Sequence, residues 1–192
     1  MSTTQPIRNL KQLEIFKHYY EITEPHPRNS LLIHLGINTA LRISDLLHLT
    51  WHDVYDFDEK ALHSHLNVLE QKTGKINSIA LNDNARRALN NFFLLTEHNH
   101  PDDFLFQGKN KEQPLSRYQA YRIIKKAAAH AHLQENISCH SLRKTFGYHA
   151  WKSGAQPVLL MNIYNHSSFQ ITKHYLGIDQ DDKDQIFLNV NL

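Results

Sequence analysis

The stretch Cys139-His140-Ser141-Leu142-Arg143 opens a helical segment late in the chain, and Asn165-His166 and then Tyr175 follow it. His140 and Arg143 are three residues apart, so on a helix they share a face and can address one ligand. A guanidinium and an imidazole on one face suit a phosphate. A tyrosine nearby supplies a nucleophile able to form a covalent intermediate. The stretch therefore predicts a phosphate-binding site carried on short helices.

Two segments nearer the N-terminus carry the same kinds of side chain. Thr39-Ala-Leu-Arg-Ile-Ser-Asp45 places Arg42 between a loop and a short helix, and Gln71-Lys-Thr-Gly-Lys75 reads as the turn of a strand pair. Taken alone each is weak, because an arginine three residues before an aspartate is usually a surface ion pair. Two arginines, a lysine and two histidines meeting at one point would suit a phosphate, and their order gives the combination weight.

In this order and at these spacings, the segments resemble the catalytic domain of the tyrosine recombinase (phage integrase) family, from about Asn9 to about Ile178. The family is marked by the motifs T-G-L-R-x-S-E/D, a hairpin lysine before T-G-K, H-x-L-R and L-G-H-S-S. A tyrosine follows the histidine of the last motif by nine residues. These motifs match the segments around Arg42, Lys72, His140, Arg143, His166 and Tyr175. Three positions depart from the pattern. Ala40 and Asn165 replace glycines, and Lys144 stands where many relatives have histidine.

The resemblance implies a site-specific DNA recombinase or integrase that cleaves and rejoins strands through a 3′-phosphotyrosyl intermediate. Tyr175 is then the nucleophile, Arg42 and Arg143 stabilise the charge of the transition state, and Lys72 protonates the departing 5′-oxygen. The same resemblance gives supporting roles to His140, His166 and Asp45. It implies no cofactor, because the arginines supply the charge that a metal ion supplies in many nucleases. ATP is unnecessary, because the phosphotyrosine keeps the bond energy for religation.

The expected fold class is α+β and mainly α-helical, a bundle like that of the tyrosine recombinase catalytic domain with a small antiparallel sheet. Strands are expected within residues 54–81. Ser44 and Ser116 are expected to cap the helices that they open. Apolar periodicity predicts helices over residues 9–22, 28–38, 44–49, 84–95, 116–132, 140–152, 157–164 and 168–174.

We expect two parts, a catalytic domain over residues 1–178 and a tail over residues 179–192. The tail carries Ile186, Phe187, Leu188 and Val190, which either dock on a neighbouring protomer or fold back onto their own core. The N-terminal core-binding domain of many integrases is expected to be absent. Either the sequence begins at the catalytic domain of a longer protein, or the chain belongs with the short invertase-like members.

The charge distribution is compatible with a DNA partner. The 192 residues carry a net charge of +2, but the tail segment 179–184 holds four aspartates against one lysine, which leaves +5 for the preceding residues. Arg117 and Arg122 lie on a predicted helix that fits a major groove, although a solvated helix face is the plainer interpretation. We expect double-stranded DNA as partner, a homo-tetramer on that DNA, and accessory DNA-bending proteins.

Composition favours a cytoplasmic protein. The single cysteine excludes an internal disulfide framework, and no apolar run approaches the roughly 20 residues that span a membrane. We therefore expect no membrane partner.

Two other functions stay open at this point. The chain could be a catalytically silent DNA-binding regulator on the same fold. It could also be a metal-binding protein, since its 15 histidines include the pairs His63 and His65, His98 and His100, and His130 and His132. Residues two apart on a strand point the same way, so the first pair could chelate an ion.

Overall fold

The computed structural model describes residues 4–71, 74–96, 100–178, 183–184 and 187–190. No helix in these ranges is both long enough and apolar enough to cross a membrane. The elements in this part of the chain are α1 (Leu10–His18), α2 (Pro27–Asn38), α3 (Ile43–Leu47), α4 (Trp51–Val54), β1 (Tyr55–Asp56), β2 (Ala61–Leu62), β3 (His65–Leu69), β4 (Ile76–Ala80), α5 (Asp83–Leu95), α6 (Arg117–His130), α7 (Cys139–Lys152), α8 (Pro157–Tyr164) and α9 (Phe169–Leu176).

Helix α2 is the centre of the fold, because apolar residues cover more than one of its faces. Its leucines, among them Leu31 and Leu35, pack into one core with α3, α4, β3 and α5. Ile33 and Ile37 point into a second core with α1, α6 and α7. Gly36 allows α7 to approach closely, since a Cβ there would lie 2.5 Å from Leu142 Cδ1. Helix α2 therefore joins the two cores of the fold.

Helix α1 continues into a single π-helical turn, Tyr19–Thr23, which we call the π-turn. The sequence predicted one helix over residues 9–22, so its extent was right, but the widened turn was not foreseen. Asn9 caps the start of α1, since its side chain accepts from the backbone N–H groups of Lys11 and Gln12. The π-turn lies against α2, which it contacts through several residues.

The strands form two separate antiparallel hairpins rather than one sheet. In the larger, β3 pairs with β4, Leu69 lying opposite Ile76, so the chain reverses direction between these strands, where a turn over residues 72–75 was predicted; residues 72 and 73 lie outside the described ranges. The turn closes as Glu70 N–H donates to Lys75 O and Gly74 N–H to Glu70 O. The short helix α4, where the strand region was expected to begin, is held by the capping box of Thr50 and Asp53.

The last three helices, α7, α8 and α9, enclose a third core that includes Tyr148, Leu160, Tyr164 and Leu176. Gly147 makes this packing possible, because a Cβ at that position would lie 2.3 Å from the Tyr164 hydroxyl oxygen. This core fixes how α9 lies against α7. The fold thus brings the C-terminal motif residues to the helix that carries His140 and Arg143.

Two predicted helix ends are corrected by the structure. Helix α3 begins at Ile43 with Arg42 in the capping position, so Ser44 lies inside the helix and does not cap it. Helix α9 runs to Leu176 rather than ending at His174, and therefore includes Tyr175. The expected cap by Ser116 is confirmed, because its hydroxyl accepts from Gln119 N–H at the start of α6.

Candidate active site

Arg42 is presented by a tight left-handed turn between α2 and α3. Ala40 has φ +54° and is buried, a conformation that favours glycine and explains the glycine of the related motif. One guanidinium nitrogen of Arg42 lies 2.6 Å from Glu70 Oε2 and 3.9 Å from Asp45 Oδ2. Asp45 in turn accepts from Gln71 N–H at 3.2 Å. Two buried carboxylates therefore hold this arginine and tie it to the β3–β4 hairpin.

Arg143 lies almost fully buried at the centre of the site. Its guanidinium donates to Ala40 O and, at 3.1 Å, to Ile163 O, so it joins the Arg42 turn to the end of α8. The same group lies 4.7 Å from the centre of the Tyr164 ring, whose hydroxyl donates back to Arg143 O. An arginine held from three sides is already oriented before a ligand arrives.

Tyr175, in the last turn of α9, packs its ring against other parts of the site. The centre of the Tyr175 ring lies 5.3 Å from that of His166 and 5.4 Å from that of Tyr164. Lys144 Nζ lies 4.8 Å from the centre of the Tyr175 ring. Burial raises the pKa of the Tyr175 hydroxyl above its ordinary value of 10, while the charge and hydrogen bond of Arg143 oppose that rise. The phenol is therefore protonated at neutral pH, and an attack through its oxygen requires a proton acceptor.

His140 and His166 lie in a strongly positive environment. Withdrawal of part of the His140 ring from water lowers its pKa, and the nearby charges, of which Arg117 is the largest contributor, lower it further. For His166 burial is again the first cause, followed by Arg143 and Arg42. Its Nδ1 lies 3.1 Å from Thr172 Oγ1, which fixes the ring. A bound anion would offset these positive charges and so raise the pKa of both histidines.

A groove of about 260 Å³ opens beside His166, between the β3–β4 hairpin and the end of α8. Lys75 crosses it, with Nζ 3.3 Å from Asn165 Oδ1. Asn165 has φ +54°, so it adopts the left-handed conformation that the family glycine would favour. Lys72, the lysine that the sequence assigned to this site, lies outside the described residues.

The segment Thr4–Arg8, here called the N-terminal strap, holds α7 and α9 together. Lys144 Nζ donates to Thr4 O at 2.7 Å, and Ile7 N–H donates to Thr145 Oγ1 at 2.9 Å. Arg8 donates to Gly177 O at the end of α9, at 3.0 Å. The strap therefore joins α7 to the C-terminal end of α9, the helix that carries Tyr175.

Arg42, His140, Arg143, His166 and Tyr175, which the sequence placed in the site, lie near one another in the structure, and Lys72 lies outside the described residues. Arg42 and Arg143 each influence the pKa of His140, His166 and Tyr175. The sequence missed Glu70, Lys144 and the strap. Glu70 stands two residues before Lys72, and an acidic residue beside a lysine of the site was the available signal.

The two predicted DNA-contacting arginines are both exposed on α6. Arg117, in the first turn, lies close enough to His140 to lower its pKa. Arg122 lies 6.0 Å from the centre of the Tyr118 ring and lines a broad surface hollow together with Arg28 and Lys125. Arg117 thus borders the site, while Arg122 extends the positive surface away from it.

The histidine pairs proposed as metal ligands do not form metal sites among the described residues. His63 lies in the turn between β2 and β3 rather than on a strand, so the expected alignment with His65 fails. No group of three potential ligands in the described ranges includes either of these residues, or His100, His130 or His132. His98 lies outside those ranges.

Known proteins resemble the chain in both sequence and fold. It is 39% identical over 181 residues to the "Probable integrase/recombinase YoeC" of Bacillus subtilis (strain 168), covering 94% of this chain and 93% of that relative. It is 27% identical to a "Tyrosine recombinase XerD" of Corynebacterium glutamicum, covering 80% of this chain but 49% of that protein, so the chain spans about half of its length.

Solved structures share the fold. The crystal structure of XerA recombinase aligns with a TM-score of 0.75 at 18% identity, over 99% of this chain and 68% of that one. A XerH site-specific recombinase bound to palindromic difH substrate aligns with a TM-score of 0.71 at 19% identity, over 91% and 50%. These similarities confirm the predicted fold class. A sequence model of the phage integrase family matches residues 9–181, and the chain therefore belongs to the phage integrase family.

Proposed function

We propose that residues 1–178 form the catalytic domain of a site-specific DNA recombinase that cleaves and rejoins strands through Tyr175. The observation that carries the proposal is the convergence of Tyr175, Arg143 and His166 in one positively charged site. Arg143 lies close enough to Tyr175 for its charge to oppose the rise in the pKa of the hydroxyl, and the His166 ring lies 5.3 Å from the Tyr175 ring. A phosphodiester is the anion that such a set of groups suits.

In the first step, the Tyr175 oxygen forms a bond to the scissile phosphorus, and the bond from phosphorus to the 5′-oxygen breaks. Arg42 and Arg143 stabilise the additional negative charge of the pentavalent transition state, a contribution on the order of 10²–10³ in rate for one donor. His166, whose lowered pKa keeps it neutral at pH 7, accepts the phenolic proton. His140 donates to a phosphate oxygen.

Lys72 donates a proton to the departing 5′-oxygen in this mechanism, because an alkoxide is a poor leaving group without an acid. Asp45 acts indirectly, by holding Arg42 and the backbone of Gln71. In the second step a 5′-hydroxyl of another strand attacks the phosphotyrosine. The phosphodiester is restored and Tyr175 is released with its proton, so neither ATP nor a metal ion enters the balance.

Arg117 and Arg122 would contact DNA beyond the scissile phosphate. Both are exposed on a helix next to the site, which supports a groove or backbone contact. If Arg122 binds a phosphate, Arg122→Ala should weaken duplex binding and reduce the slope of log affinity against log salt by about 1. Arg87→Ala, on the exposed face of α5, is the control. An unchanged slope in Arg122→Ala would contradict the contact.

The tail supports assembly on DNA as a homo-tetramer, with the tail of one protomer on its neighbour. Phe187, Leu188 and Val190 are 80%, 82% and 59% exposed, more apolar surface than a terminus usually leaves in water. Ile186 lies outside the described residues. The double change Phe187→Ser with Leu188→Ser should lower the sedimentation coefficient of the DNA complex. Accessory DNA-bending proteins remain a prediction for the complete reaction.

Serine at Leu94 and Leu95, an equally exposed apolar pair on α5, is the control for tail docking. If the two double variants assemble alike on DNA, docking of the tail on a neighbour is wrong.

The decisive experiment captures a covalent protein–DNA adduct. Nicked duplexes of randomised sequence are incubated with the chain and denatured with detergent, and the DNA that stays attached to protein is sequenced. The wild type should yield an enriched site and a detergent-resistant adduct, because the nick releases the 5′-strand and prevents religation. Tyr175→Phe should bind the enriched site without forming the adduct.

Tyr55→Phe is the matched control, since it removes a phenolic oxygen from a ring that packs on Phe57 and Phe93 against the first core and not on the residues of the site. It should form the adduct as the wild type does. An adduct from Tyr175→Phe would overturn the assignment of the nucleophile. A wild type that binds the selected DNA and never becomes attached would instead support the catalytically silent regulator.

A further inference from the structure

A cluster of side chains that could bind a metal ion lies where the end of α1 and the π-turn face α2. It consists of His18, Glu21 and His34. Glu21 lies between the two imidazoles, with Oε2 2.6 Å from His18 Nδ1 and Oε1 2.8 Å from His34 Nε2. One ligand atom from each residue can be chosen so that all three lie within 4.8 Å of one another. The cluster shares no residue with the recombinase site.

The π-turn produces this arrangement. Glu21 lies in the π-turn and His18 immediately precedes it, so the widened turn sets the angle between the two side chains. A π-helical turn is rare and frequently marks a functional position. The third ligand comes from α2, in the middle of the fold. The cluster therefore bridges two helices and is not a run of neighbours on one surface.

His34 supplies a second, independent indication of a ligand. Its side chain is about nine-tenths buried. Within the described part of the chain, its buried Nε2 atom has no hydrogen-bond partner of acceptable geometry, although Glu21 lies close by. A buried ring nitrogen without a well-aligned partner is costly. Binding of a cation by the lone pair of His34 Nε2 would remove that cost.

The surrounding groups orient the cluster as an outer shell orients metal ligands. Ser30 Oγ donates to Glu21 Oε1 at 3.0 Å, which fixes the carboxylate. Glu14 Oε2 lies 3.4 Å from His18 Nε2, so a carboxylate is in place to accept a proton from that nitrogen when Nδ1 exchanges its 2.6 Å contact with Glu21 Oε2 for a metal ion. Carboxylate–histidine pairs of this kind commonly set the tautomer of a metal-binding imidazole.

We propose that His18, Glu21 and His34 bind one divalent transition-metal ion, with Zn²⁺ as the best chemical match. Two imidazole nitrogens and one carboxylate oxygen are a common zinc donor set, and water completes the tetrahedron. Tetrahedral bonds of about 2.0–2.1 Å place ligand atoms about 3.4 Å apart. The present separations of 2.6 and 2.8 Å involve different oxygens of Glu21, and the three ligand atoms lie within 4.8 Å of one another, so each separation has to change by about 1.4 Å or less.

Binding would cross-link α1 to α2 and thereby stabilise the fold. A ligand that binds the folded chain alone raises its stability in proportion to the logarithm of its concentration over Kd.

The test is zinc titration of the full chain after treatment with a chelator, followed by calorimetry and by thermal unfolding. The wild type should bind one Zn²⁺ and unfold at a higher temperature with zinc than without it. Loss of an outer-shell partner alone lowers metal affinity by about 10–100-fold, so His18→Gln and Glu21→Gln should each weaken binding by about tenfold or more. His18→Gln is the safer variant, because that side chain is 40% exposed.

The control for the many histidines of this chain is His63→Gln with His65→Gln, which should bind zinc as the wild type does. Equal binding by the wild type and His18→Gln would overturn the proposal, and so would a loss in the control as large as that in Glu21→Gln. Zinc binding and DNA cleavage are separate readouts. Tyr175→Phe should retain the zinc site whatever happens to the recombinase assay.

Discussion

The carboxylate of Glu70 lies 2.6 Å from the guanidinium of Arg42, and both side chains are largely withdrawn from water. The pair joins the β3–β4 hairpin to the turn before α3, so the hairpin and the arginine are positioned together. A phosphate that binds Arg42 must use the N–H groups that Glu70 leaves available. The contact therefore orients the arginine before DNA arrives.

Glu70→Gln tests that relationship, because it keeps the size of the side chain and removes its charge. The remaining carboxylate of Asp45 lies 3.9 Å from Arg42, so the arginine loses its closer anion. We expect the free energy of unfolding to fall by about 1–3 kcal/mol. Adduct formation should slow by roughly 10–100-fold, because small displacements of a catalytic group are costly.

Urea unfolding and single-turnover adduct formation measure these two effects. Glu112→Gln, which removes an exposed carboxylate from a loop, is the control and should alter neither. A Glu70→Gln variant that is as stable and as fast as the wild type would show that Arg42 needs no such partner.

The left-handed turn at Ala40 gives a second prediction. Its φ of +54° is strained for a β-branched residue, and its carbonyl oxygen accepts from Arg143. Ala40→Gly should remain within about 1 kcal/mol of the wild type, because relief of strain offsets the lost methyl group and the added chain entropy. Ala40→Val should lose about 2–4 kcal/mol through combined strain and overpacking.

Ala128→Val separates the two causes. Ala128 is as buried as Ala40 but lies inside α6 with ordinary helical backbone, so valine there reports overpacking alone. Thermal unfolding of the three variants is the measurement. If Ala40→Val and Ala128→Val lose the same stability, backbone strain at Ala40 contributes nothing.

How far the sequence predicted the structure depends on how local each signal is. Arg143, His166 and Tyr175 could be placed because motif order identifies a family whose helices bring them together. Helix α6 could be placed because Ser116 and Gln119 form a local capping box. The capping box lies within a few residues of the helix start that it predicts, and the motifs are short segments whose order along the chain is read without knowledge of packing.

Features that depend on packing between distant segments could not be predicted. Glu70 is an ordinary acidic residue until the hairpin folds over α3. The π-turn differs from an α-helix by one residue in a turn, which apolar spacing does not resolve, so the contact between Glu21 and His34 was hidden. Helix α4 did have a local signal, Thr50 three residues before Asp53, but it runs directly into β1.

Lys144 gives a third prediction, as a positioning residue for Tyr175. Its ammonium group lies 4.8 Å from the centre of the Tyr175 ring while it donates to Thr4 O in the strap. Lys144→Met keeps the length of the side chain and removes the charge, so a cation–π contact of about 0.5–2 kcal/mol is lost. We expect adduct formation to slow by about 2–30-fold while affinity for DNA stays unchanged.

Lys144→Arg is the matched variant, because a guanidinium can also lie over an aromatic ring, and it should recover most of the rate. The rate of adduct formation at saturating DNA separates positioning from binding. If Lys144→Met lowers DNA affinity and leaves that rate unchanged, Lys144 acts on DNA rather than on Tyr175.

The pH dependence of stability gives the last prediction. Burial lowers the pKa of His34 and of His166 below the ordinary value of 6.5; Glu21 opposes the effect at His34, and Arg143 and Arg42 add to it at His166. As pH falls through 6.5, the unfolded chain takes up protons at these two positions before the folded chain does. The free energy of unfolding should therefore be level above about pH 7 and decline between about pH 6.5 and 5.

Urea unfolding at a series of pH values, with a chelator present to remove metal ions, measures this slope. His34→Gln should make the decline shallower, whatever its effect on stability at pH 8, because one of the histidines with a lowered pKa no longer titrates, while His140 and His166 still do. His65→Gln, at an exposed position on β3, is the control for loss of a histidine. A decline that is equally steep in His34→Gln and in the wild type would mean that protonation of His34 does not drive it, and the depressed pKa inferred from its burial would be wrong.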